Sequence, residues 1–414
     1  MMRVLQVNTC LHIGGTGMIM EGIGQQVLRA GGESMIAYSR NLIASGPQSA
    51  SRLIRIGSTF DCYRHAAFSR LFDCQGLCSK RATLDFLKSV DAFRPDIIQL
   101  HNIHGYYLHY PTLFDYIRCR QIPVVWTLHD CWPFTGRCAY FDAVGCTQWQ
   151  QGCVSCPDKA HYPATLFWDR CRRNYRLKKA VFGSLVRVTF VPVSDWLGDL
   201  LRQSFLKDQP MRVIHNGIDI DKFRPMPEQQ AALRAKYGVG DRKVVLGVAS
   251  TWEPRKGLAD FVKLAPMLPD DVCIILLGLS DQQLKDLPAN IVGLRRTSNY
   301  EELLGLYTLS HVFCNPTYED NFPTTNLEAL ACGTPVITYR TGGSVEAIDA
   351  ETGLVVETGD VAGLCEAIMS ILAQPKAHFS AKCRARAEAK WNKEDRFKEY
   401  LDLYKEIHEE SSHT

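Results

Sequence analysis

Short apolar segments alternate with helical patterns along almost the whole chain, and this alternation limits the fold more than any other feature. Eight apolar runs are typical of strands that are buried on both faces of a parallel sheet. They cover residues 4–7, 97–100, 124–128, 188–193, 244–248, 272–277, 312–314 and 335–338. Helical patterns lie between them, at 84–92, 258–268, 300–310 and 361–373. The alternation predicts α/β domains with doubly wound sheets.

The length of the chain indicates two such domains, because 414 residues exceed what one hydrophobic core usually supports. We predict a first domain at 1–218 with a cysteine-rich insertion at 131–160, followed by a proline-containing linker at 219–240. A second domain is predicted at 241–389. The charged segment 390–414 is expected to form a helix that packs back on the first domain.

Composition and charge narrow the function classes. Hydrophobic residues make up 46% of the chain, and it has neither an apolar run of about 18 residues nor a signal-peptide pattern, so we expect a cytoplasmic protein. Residues 1–215 hold 25 Lys and Arg against 15 Asp and Glu, whereas 216–414 hold 22 against 29. The basic half favours an anionic membrane surface or a pyrophosphate-bearing substrate. No motif supports nucleic-acid binding.

The segment from Pro316 to Val336 carries the most specific pattern, Pro-Thr-Tyr-Glu-Asp-Asn-Phe-Pro-Thr-Thr-Asn-Leu-Glu-Ala-Leu-Ala-Cys-Gly-Thr-Pro-Val. A helix is expected to begin near its two adjacent threonines, and the N-terminus of a helix suits a phosphate. Glu328, inside that helix, could accept hydrogen bonds from a vicinal diol such as a ribose. Asp320 lies eight residues earlier, where it could meet a second polyol. The pattern predicts a sugar-nucleotide site; the alternative is an ordinary capped helix with a surface acid.

A glycine-rich turn follows the first predicted strand. Gly14, Gly15 and Thr16 would let the backbone approach a phosphate or a sugar closely, so we count them as donor-binding candidates. The turn matches neither the dinucleotide-binding motif nor the P-loop motif. A tight strand–helix turn without a ligand is the alternative.

Histidines follow two further strands. His129 comes directly after the strand at 124–128, and ligands bind beyond the carboxyl ends of such strands, so His129 is placed to touch a substrate. The candidates for an acceptor pocket around it are His101, His104, Tyr106 and Asp130. The alternatives are a structural histidine and side chains that only pack the edge of the cleft.

Two cations follow the strand at 244–248. Arg255 and Lys256 are expected at a strand end of the second domain, where they could neutralise the charge of a departing diphosphate. A solvated turn is the alternative.

Cysteines are concentrated in the first half, with 11 of the 16 before residue 172. Cys138, Cys146, Cys153 and Cys156 form the spacing C-x7-C-x6-C-x2-C, which in a cytoplasmic chain indicates metal more often than disulfides. Four thiolates would close a tetrahedral, structural zinc site, with Cys131 as a fifth or substitute ligand. Free buried thiols and a redox pair are the alternatives.

A basic segment with neighbouring aromatic residues spans 169–179. As a helix it could lie on an anionic membrane or hold a lipid pyrophosphate. The alternative is a solvated helix face.

Together these motifs resemble the retaining GT-B glycosyltransferases of family 4. The matching pieces follow the family's order over nearly the whole chain: Gly14-Gly15, His129, Val193-Ser194, Ile214-His-Asn-Gly-Ile-Asp219, Arg255-Lys256-Gly257, and Asp320 to Glu328 running into Ala-Cys-Gly-Thr-Pro-Val. The stretch Leu128-His-Asp-Cys-Trp-Pro-Phe-Thr-Gly-Arg-Cys138 resembles a subgroup found in bacterial capsule, exopolysaccharide and O-antigen assembly.

The resemblance implies two Rossmann-like domains that face an interdomain cleft holding a nucleotide-sugar donor. Glu328 would bind the ribose hydroxyls, and Lys256 the diphosphate. Asp320 would face the donor sugar, and His129 would contact that sugar near its reacting face. Further donor contacts would come from Arg255, Asn321, Phe322, Pro323 and Thr324.

The implied reaction transfers a hexose-type sugar with retention and without a catalytic metal. UDP is the expected nucleotide because it is common in the family. The implied acceptor is a lipid-linked saccharide at the cytoplasmic face of the membrane.

Two departures from the family pattern leave the donor open. Asp320 stands where the family usually has Glu, and Ala249-Ser250 stands where it usually has Gly-Arg. Two other functions also stay open. A sugar-nucleotide 2-epimerase would share the two-domain architecture, and a non-catalytic protein could bind a nucleotide sugar without transferring it.

Overall fold

The structure, a computed structural model, describes residues 1–12, 14–40 and 49–412, with side chains described as far as Glu410. The chain forms two compact units. Met1–His215 and the segment that starts at Arg396 make up the first unit, and Asn216–Asp395 make up the second.

The first unit is built on a parallel six-stranded sheet. Its strands are β1 (Arg3–Val7), β2 (Glu33–Tyr38), β3 (Arg52–Arg55), β4 (Ile97–Leu100), β5 (Val124–Leu128) and β6 (Val188–Pro192). Their order is β3-β2-β1-β4-β5-β6, so the direction of winding reverses between β1 and β4. The helices among them are α1 (Gly14–Arg29), α2 (Thr59–Phe72), α3 (Lys80–Phe93), α4 (Tyr110–Arg120), α5 (Gln148–Gln151), α6 (Cys171–Phe182) and α7 (Asp195–Gln203).

The second unit repeats this plan. Its parallel strands are β7 (Lys243–Val248), β8 (Val272–Leu277), β9 (Ile291–Leu294), β10 (Val312–Asn315), β11 (Val336–Tyr339) and β12 (Gly353–Val356). The order β12-β11-β10-β7-β8-β9 reverses between β7 and β10. The remaining helices are α8 (Gln230–Tyr237), α9 (Leu258–Leu264), α10 (Asp281–Lys285), α11 (Tyr300–Leu309), α12 (Thr324–Ala331), α13 (Val361–Leu372), α14 (Ala377–Lys390) and α15 (Lys393–Ser412).

Helix α15 completes the core of the first unit. Its Phe397, Tyr400 and Tyr404 are buried in one cluster with Val4 of β1 and Val125 of β5. Tyr404 also bonds to Gln99 of β4 through its hydroxyl. The aromatic rings thus cover the helix-facing side of the sheet.

All eight predicted strands are present, each within one residue of its predicted ends. The four strands that were not predicted are β2, β3, β9 and β12; three of them are edge strands, and β2 lies next to an edge. The edge strand β3, Arg-Leu-Ile-Arg, is mostly exposed and lacks a continuous apolar run. Helix α9 ends at Leu264, not at 268, because a 3-10 turn containing Pro266 follows it.

The segment predicted as a linker, 219–240, is part of the second unit. It contains α8, whose Leu233 is buried against Gly305 of α11, and the N–H of Met226 donates to Thr308 Oγ1 at 3.0 Å. The prolines of this segment indicated a linker, but its apolar side chains find partners on α11. The second unit therefore begins at Asn216, not at residue 241.

Candidate functional site

The second unit places Lys256 and Asp320 together at its topological switch point. Lys256 ends a 3-10 turn after β7, and Asp320 lies in the loop after the neighbouring strand β10. Their side chains form an ion pair, with Lys256 Nζ 2.5 Å from Asp320 Oδ2, and both are mostly buried. Open α/β sheets bind ligands at such a reversal point, beyond the carboxyl ends of the strands.

Gly257 allows these two loops to approach each other. Its φ is +77°, and a Cβ added to it would lie 2.1 Å from the carbonyl oxygen of Pro316. A side chain at this position would therefore force the loops apart.

Arg255 fastens the loop after β10. Its guanidinium donates to the carbonyl of Glu319 at 2.9 Å, and its own carbonyl accepts the N–H of Tyr318 at 2.7 Å. Arg255, predicted as a second cation for the diphosphate, thus holds the backbone next to Asp320 in place.

Glu328 lies on α12, the helix that begins at the same end of the sheet. Its Oε2 accepts a hydrogen bond from the buried hydroxyl of Tyr307 at 2.7 Å, and its Oε1 accepts one from Thr324 Oγ1 at 3.5 Å. Burial raises the pKa of Glu328, although both hydrogen bonds act to lower it. A carboxylate fixed in this way is a directed hydrogen-bond acceptor next to a helix N-terminus.

A buried polar network that the sequence reasoning missed holds this loop and helix in place. Asn326 of α12 accepts from Asn315 Nδ2 at 2.9 Å and donates to Ser344 Oγ at 3.0 Å. Ser344 Oγ also lies 2.6 Å from Thr338 Oγ1. The network joins the ends of β10 and β11 to α12. Its signal in the sequence was a polar residue in each of three apolar segments.

The first unit has a cavity of about 240 Å³ at its own switch point, between the ends of β1 and β4. The predicted residues Thr16, His104 and Tyr106 line it, together with Arg40 and Tyr162, which were not predicted. The predicted Gly14 and Gly15 form the first residues of α1 and are not among the lining residues.

His104 and Asp130 form a hydrogen-bonded pair beside this cavity. His104 Nε2 lies 2.8 Å from Asp130 Oδ2, and His104 Nδ1 lies 2.9 Å from the hydroxyl of Tyr162. Burial acts to raise the pKa of Asp130, but His104 and the N–H of Trp132 hold it below its usual value. Since β4 and β5 are neighbouring strands, residues after their ends meet although 26 positions separate them.

His129 is held by a second chain of hydrogen bonds. Gln6 donates through Nε2 to the carbonyl of Met20, so its Oε1 faces His101 Nε2 at 3.2 Å. That geometry makes His101 Nδ1 the acceptor for His129 Nε2, at 3.0 Å. Burial lowers the pKa of His129 to about 4, so the ring is neutral at pH 7.

The cysteine cluster lies between the short 3-10 turn Trp132–Phe134 and α6, and the buried cations Arg137 and Lys178 lie beside it. The thiols of Cys138 and Cys156 contact each other, and the N–H of Gly136 donates to Cys153 Sγ at 3.2 Å. Lys178 donates to the carbonyl of Trp132 at 2.6 Å, and burial lowers its pKa to about 7.

The four predicted ligands do not yet form a closed site. Among the described residues, no three of the sulfurs of Cys138, Cys146, Cys153 and Cys156 lie within 4.8 Å of one another. The structural zinc stays a prediction.

Two sequence families match the chain. The family described as Glycosyltransferase Family 4 matches residues 13–222, and the one described as Glycosyl transferases group 1 matches residues 229–390. Within the part of the chain that the structure describes, no helix is long and apolar enough to cross a bilayer.

Named relatives match the chain over different lengths. It is 23% identical to the putative colanic acid biosynthesis glycosyl transferase WcaC of Escherichia coli (strain K12), over 98% of this chain and 100% of that protein. It is 32% identical to a GDP-mannose-dependent monoacylated alpha-(1-6)-phosphatidylinositol monomannoside mannosyltransferase of Corynebacterium glutamicum, over 43% of this chain and 51% of that protein.

Solved structures share the fold at low sequence identity. Sucrose-phosphate synthase from Thermosynechococcus elongatus superposes with a TM-score of 0.71 at 18% identity, covering 98% of this chain and 99% of that one. Anabaena HepE in complex with UDP-glucose superposes with a TM-score of 0.67 at 15% identity, covering 100% of both chains. Together with the two parallel sheets, these likenesses confirm the predicted GT-B class of fold.

Proposed function

Since the chain belongs to glycosyltransferase family 4, we propose that it transfers a hexose-type sugar from a UDP-sugar to a lipid-linked saccharide in the synthesis of a cell-surface polysaccharide. The observation that carries this proposal is the grouping of Lys256, Asp320 and Glu328 at the switch point of the second unit. A cation, two carboxylates and a helix N-terminus are the groups that a diphosphate, a sugar and a ribose require.

Glu328 is proposed to bind the ribose of the donor. Tyr307 and Thr324 each donate one hydrogen bond to it, and a carboxylate has about four acceptor positions, so it can also accept from a diol. The diphosphate then lies near the first turn of α12, where the partial positive charge of the helix favours an anion.

Lys256 is proposed to stabilise the leaving nucleotide. In the reaction, the bond between the sugar C1 and the β-phosphate oxygen breaks, and a bond from C1 to the acceptor oxygen forms on the same face. The acceptor's proton passes to the leaving phosphate, so no protein nucleophile is needed. Charge grows on that phosphate as the bond breaks, and the ammonium of Lys256 offsets it.

Asp320 has two roles in this scheme. Its carboxylate holds Lys256 by the ion pair, and its second oxygen can accept from hydroxyls of the donor sugar. His129 is proposed to contact the sugar as a neutral ring, in keeping with its lowered pKa.

The cavity of the first unit is proposed to bind the acceptor. Its wall carries Tyr106 and His104, which is held by Asp130, and His101 orients His129 at the end of the next strand. Aromatic faces with fixed hydrogen-bond groups suit a saccharide. The match to WcaC over nearly the full chain supports a role in polysaccharide assembly.

A structural zinc ion in the cysteine cluster is also proposed, held by Cys138, Cys146, Cys153 and Cys156. Four thiolates on one Zn²⁺ carry a net negative charge, and the buried side chains of Lys178 and Arg137 would balance it. Bound zinc would hold the four sulfurs together and would therefore stiffen the insertion at 131–160.

A transfer assay tests the proposed reaction. Purified protein is incubated with labelled UDP-, GDP- and ADP-sugars and with lipid-linked saccharides extracted from bacterial membranes. We expect label from one donor to enter the lipid fraction, and we expect Lys256→Ala to reduce the rate at least a hundredfold. The matched control is Lys263→Ala, a lysine that is exposed on α9.

The other two functions give different results. Conversion of a free nucleotide sugar to its epimer without an acceptor would make the protein an isomerase. A third outcome is that the protein binds a nucleotide sugar but transfers it to no acceptor, and that Lys256→Ala leaves the polysaccharide of cells unchanged. The protein would then be a binding protein without catalytic activity.

A further inference from the structure

Helix α2 buries polar or small side chains and exposes large apolar ones, the reverse of what helices on a protein surface usually do. The residues that it buries are polar or small, Cys62, His65 and Ser69. Its solvent side carries Phe60, Tyr63, Phe68, Leu71 and Phe72, all of which are exposed. At helical spacing they fall on one side of the helix, Phe60 and Tyr63 in its first turn and Phe68, Leu71 and Phe72 in its last turns, with the exposed Arg64 between the two groups. We call them the apolar stripe.

The buried face of α2 is satisfied by polar contacts. His65 is 1% exposed; its Nδ1 donates to Ser79 Oγ at 2.7 Å, and its Nε2 accepts the N–H of Gly76 at 3.1 Å. The helix therefore cannot rotate its apolar stripe inward without breaking these hydrogen bonds, so the stripe is a stable part of the surface.

A loop ahead of α6 extends the stripe. Leu166, Phe167 and Trp168 are exposed, Phe167 to 76%. The N–H of Leu166 donates to the carbonyl of Arg70 in the last turn of α2, at 2.7 Å. The N–H of Arg170 donates to Asp73 Oδ2, also at 2.7 Å. The loop and the helix end thus form one surface, which we call the aromatic face.

Basic residues surround the aromatic face. Residues 58–81 contain four Lys and Arg against two Asp, and residues 162–179 contain six against one; of these six, the buried Lys178 does not contribute to the surface. All three aspartates are already engaged: Asp61 in the capping box of α2, Asp73 in the bond to Arg170, and Asp169 in bonds from the N–H groups of Cys156 and Cys171. On α6, the side chains of Arg172, Arg173 and Arg176 are exposed. The net charge near the aromatic face is therefore strongly positive.

We propose that the aromatic face docks on an anionic lipid bilayer, with Phe60 and Phe167 entering the interface and the arginines of α6 contacting headgroups. Exposed aromatic residues with a basic rim match the two properties of such an interface, its apolar interior and its negative surface potential. The basic segment 169–179, with its neighbouring aromatic residues, was predicted to lie on such a membrane as a helix, but Tyr175 and Phe182 of α6 are buried. Helix α6 therefore supplies basic charge, whereas α2 and the loop ahead of α6 supply the apolar side chains that enter the bilayer.

The aromatic face also leads to the acceptor cavity. The same loop begins near Tyr162, whose hydroxyl bonds to His104 on the cavity wall and to Gln75 just beyond α2. A protein docked on this face holds its cavity near the headgroup layer. This consequence rests on the proposed function, in which the acceptor is lipid-linked; the docking itself does not.

Vesicle co-sedimentation of the full chain tests the docking. We expect binding to vesicles of phosphatidylglycerol and phosphatidylethanolamine, and much weaker binding to phosphatidylcholine alone. The double variant Phe60→Ser/Phe167→Ser should bind the anionic vesicles about tenfold or more weakly. The control Met267→Ser, an exposed apolar residue of the second unit, should bind as the unchanged protein does.

Fluorescence gives a readout at a single position. Lipids brominated in the acyl chain should quench part of the tryptophan emission on binding, and Trp168→Phe should remove that part while binding persists. Arg172→Gln/Arg173→Gln should weaken binding to anionic vesicles only.

Three results would overturn the docking proposal. One is that the serine variant binds vesicles as strongly as the unchanged protein. Another is that Trp168 is not quenched. The third is that the unchanged protein is an oligomer in light scattering and the serine variant is a monomer, which would make the aromatic face a contact between copies.

Transfer to an acceptor with a shortened, water-soluble lipid is measured in parallel. If transfer proceeds while docking fails, only the docking proposal is lost. If docking occurs without any transfer, only the proposed function is lost.

Discussion

Replacing Glu328 with Gln should weaken donor binding while it stabilises the fold. A hydrogen bond to a charged group contributes about 1 kcal/mol more than one to a neutral group, so two bonds from a ribose diol lose about 2 kcal/mol, roughly 30-fold in KM for the donor. Glutamine keeps the shape of the side chain and can still contact Tyr307 and Thr324. The rate at saturating donor should change much less than KM, since the ribose is far from the reacting bond.

The predicted gain in the stability of Glu328→Gln follows from the raised pKa of Glu328 in the folded protein. A carboxyl whose folded pKa lies above its unfolded value binds its proton more tightly when folded. Its contribution is fully present below the unfolded pKa, and it is lost as the pH rises through the folded pKa. Glu328→Gln removes this loss, so its melting temperature should exceed that of the unchanged protein at pH 7, and the difference should disappear at low pH.

Donor-dependent initial rates and thermal melts from acidic to neutral pH measure both effects. Glu366→Gln, an exposed position on α13, is the matched control and should change neither quantity. A KM for the donor within a factor of two of the unchanged protein would refute the diol-binding role. A melting temperature that falls at pH 7 would refute the burial argument.

Three further predictions concern other parts of the molecule. Gly257→Ala should destabilise the protein by about 2 kcal/mol or more, measured by chemical denaturation, because its Cβ would lie 2.1 Å from the carbonyl of Pro316; Gly240→Ala, with positive φ but nothing within 4 Å, should cost about 1 kcal/mol, and equal losses would contradict the steric reason. Asn326→Ala should lower both stability and the affinity for donor, since it unlinks β10 and β11 from α12; unchanged affinity in a calorimetric titration would show that the network supports only the fold. Metal analysis after reducing purification should find zinc at one ion per chain, lost in Cys153→Ser and kept in Cys365→Ser; protein free of metal would end the zinc proposal.

The central strands were predictable because they are buried on both faces. Such strands, for example β5 and β8, have continuous apolar sequences that need no knowledge of their neighbours. The edge strands β3 and β12 draw their stability from one neighbouring strand, so their sequences contain exposed or glycine positions. Only the assembled sheet identifies them.

The strand-end rule also predicted which residues would lie near one another. His104 and Asp130 meet after β4 and β5, and Lys256 and Asp320 meet after β7 and β10. Their partners were not predictable. Tyr162 reaches His104 from a distant loop, and Arg255 bonds to a backbone carbonyl where the sequence indicated only charge.

The sequence by itself determined the fold class and the residue types at the strand ends, because parallel strands have a distinct apolar pattern and their carboxyl ends share one edge. Only the tertiary structure decided which faces of the helices are covered. Helix α2, which none of the predicted helical patterns covers, exposes Phe60 and Tyr63 because the hydrogen bonds of the buried His65 fix the opposite face inward. Burial depends on neighbours distant in the chain, and a periodic pattern does not contain them.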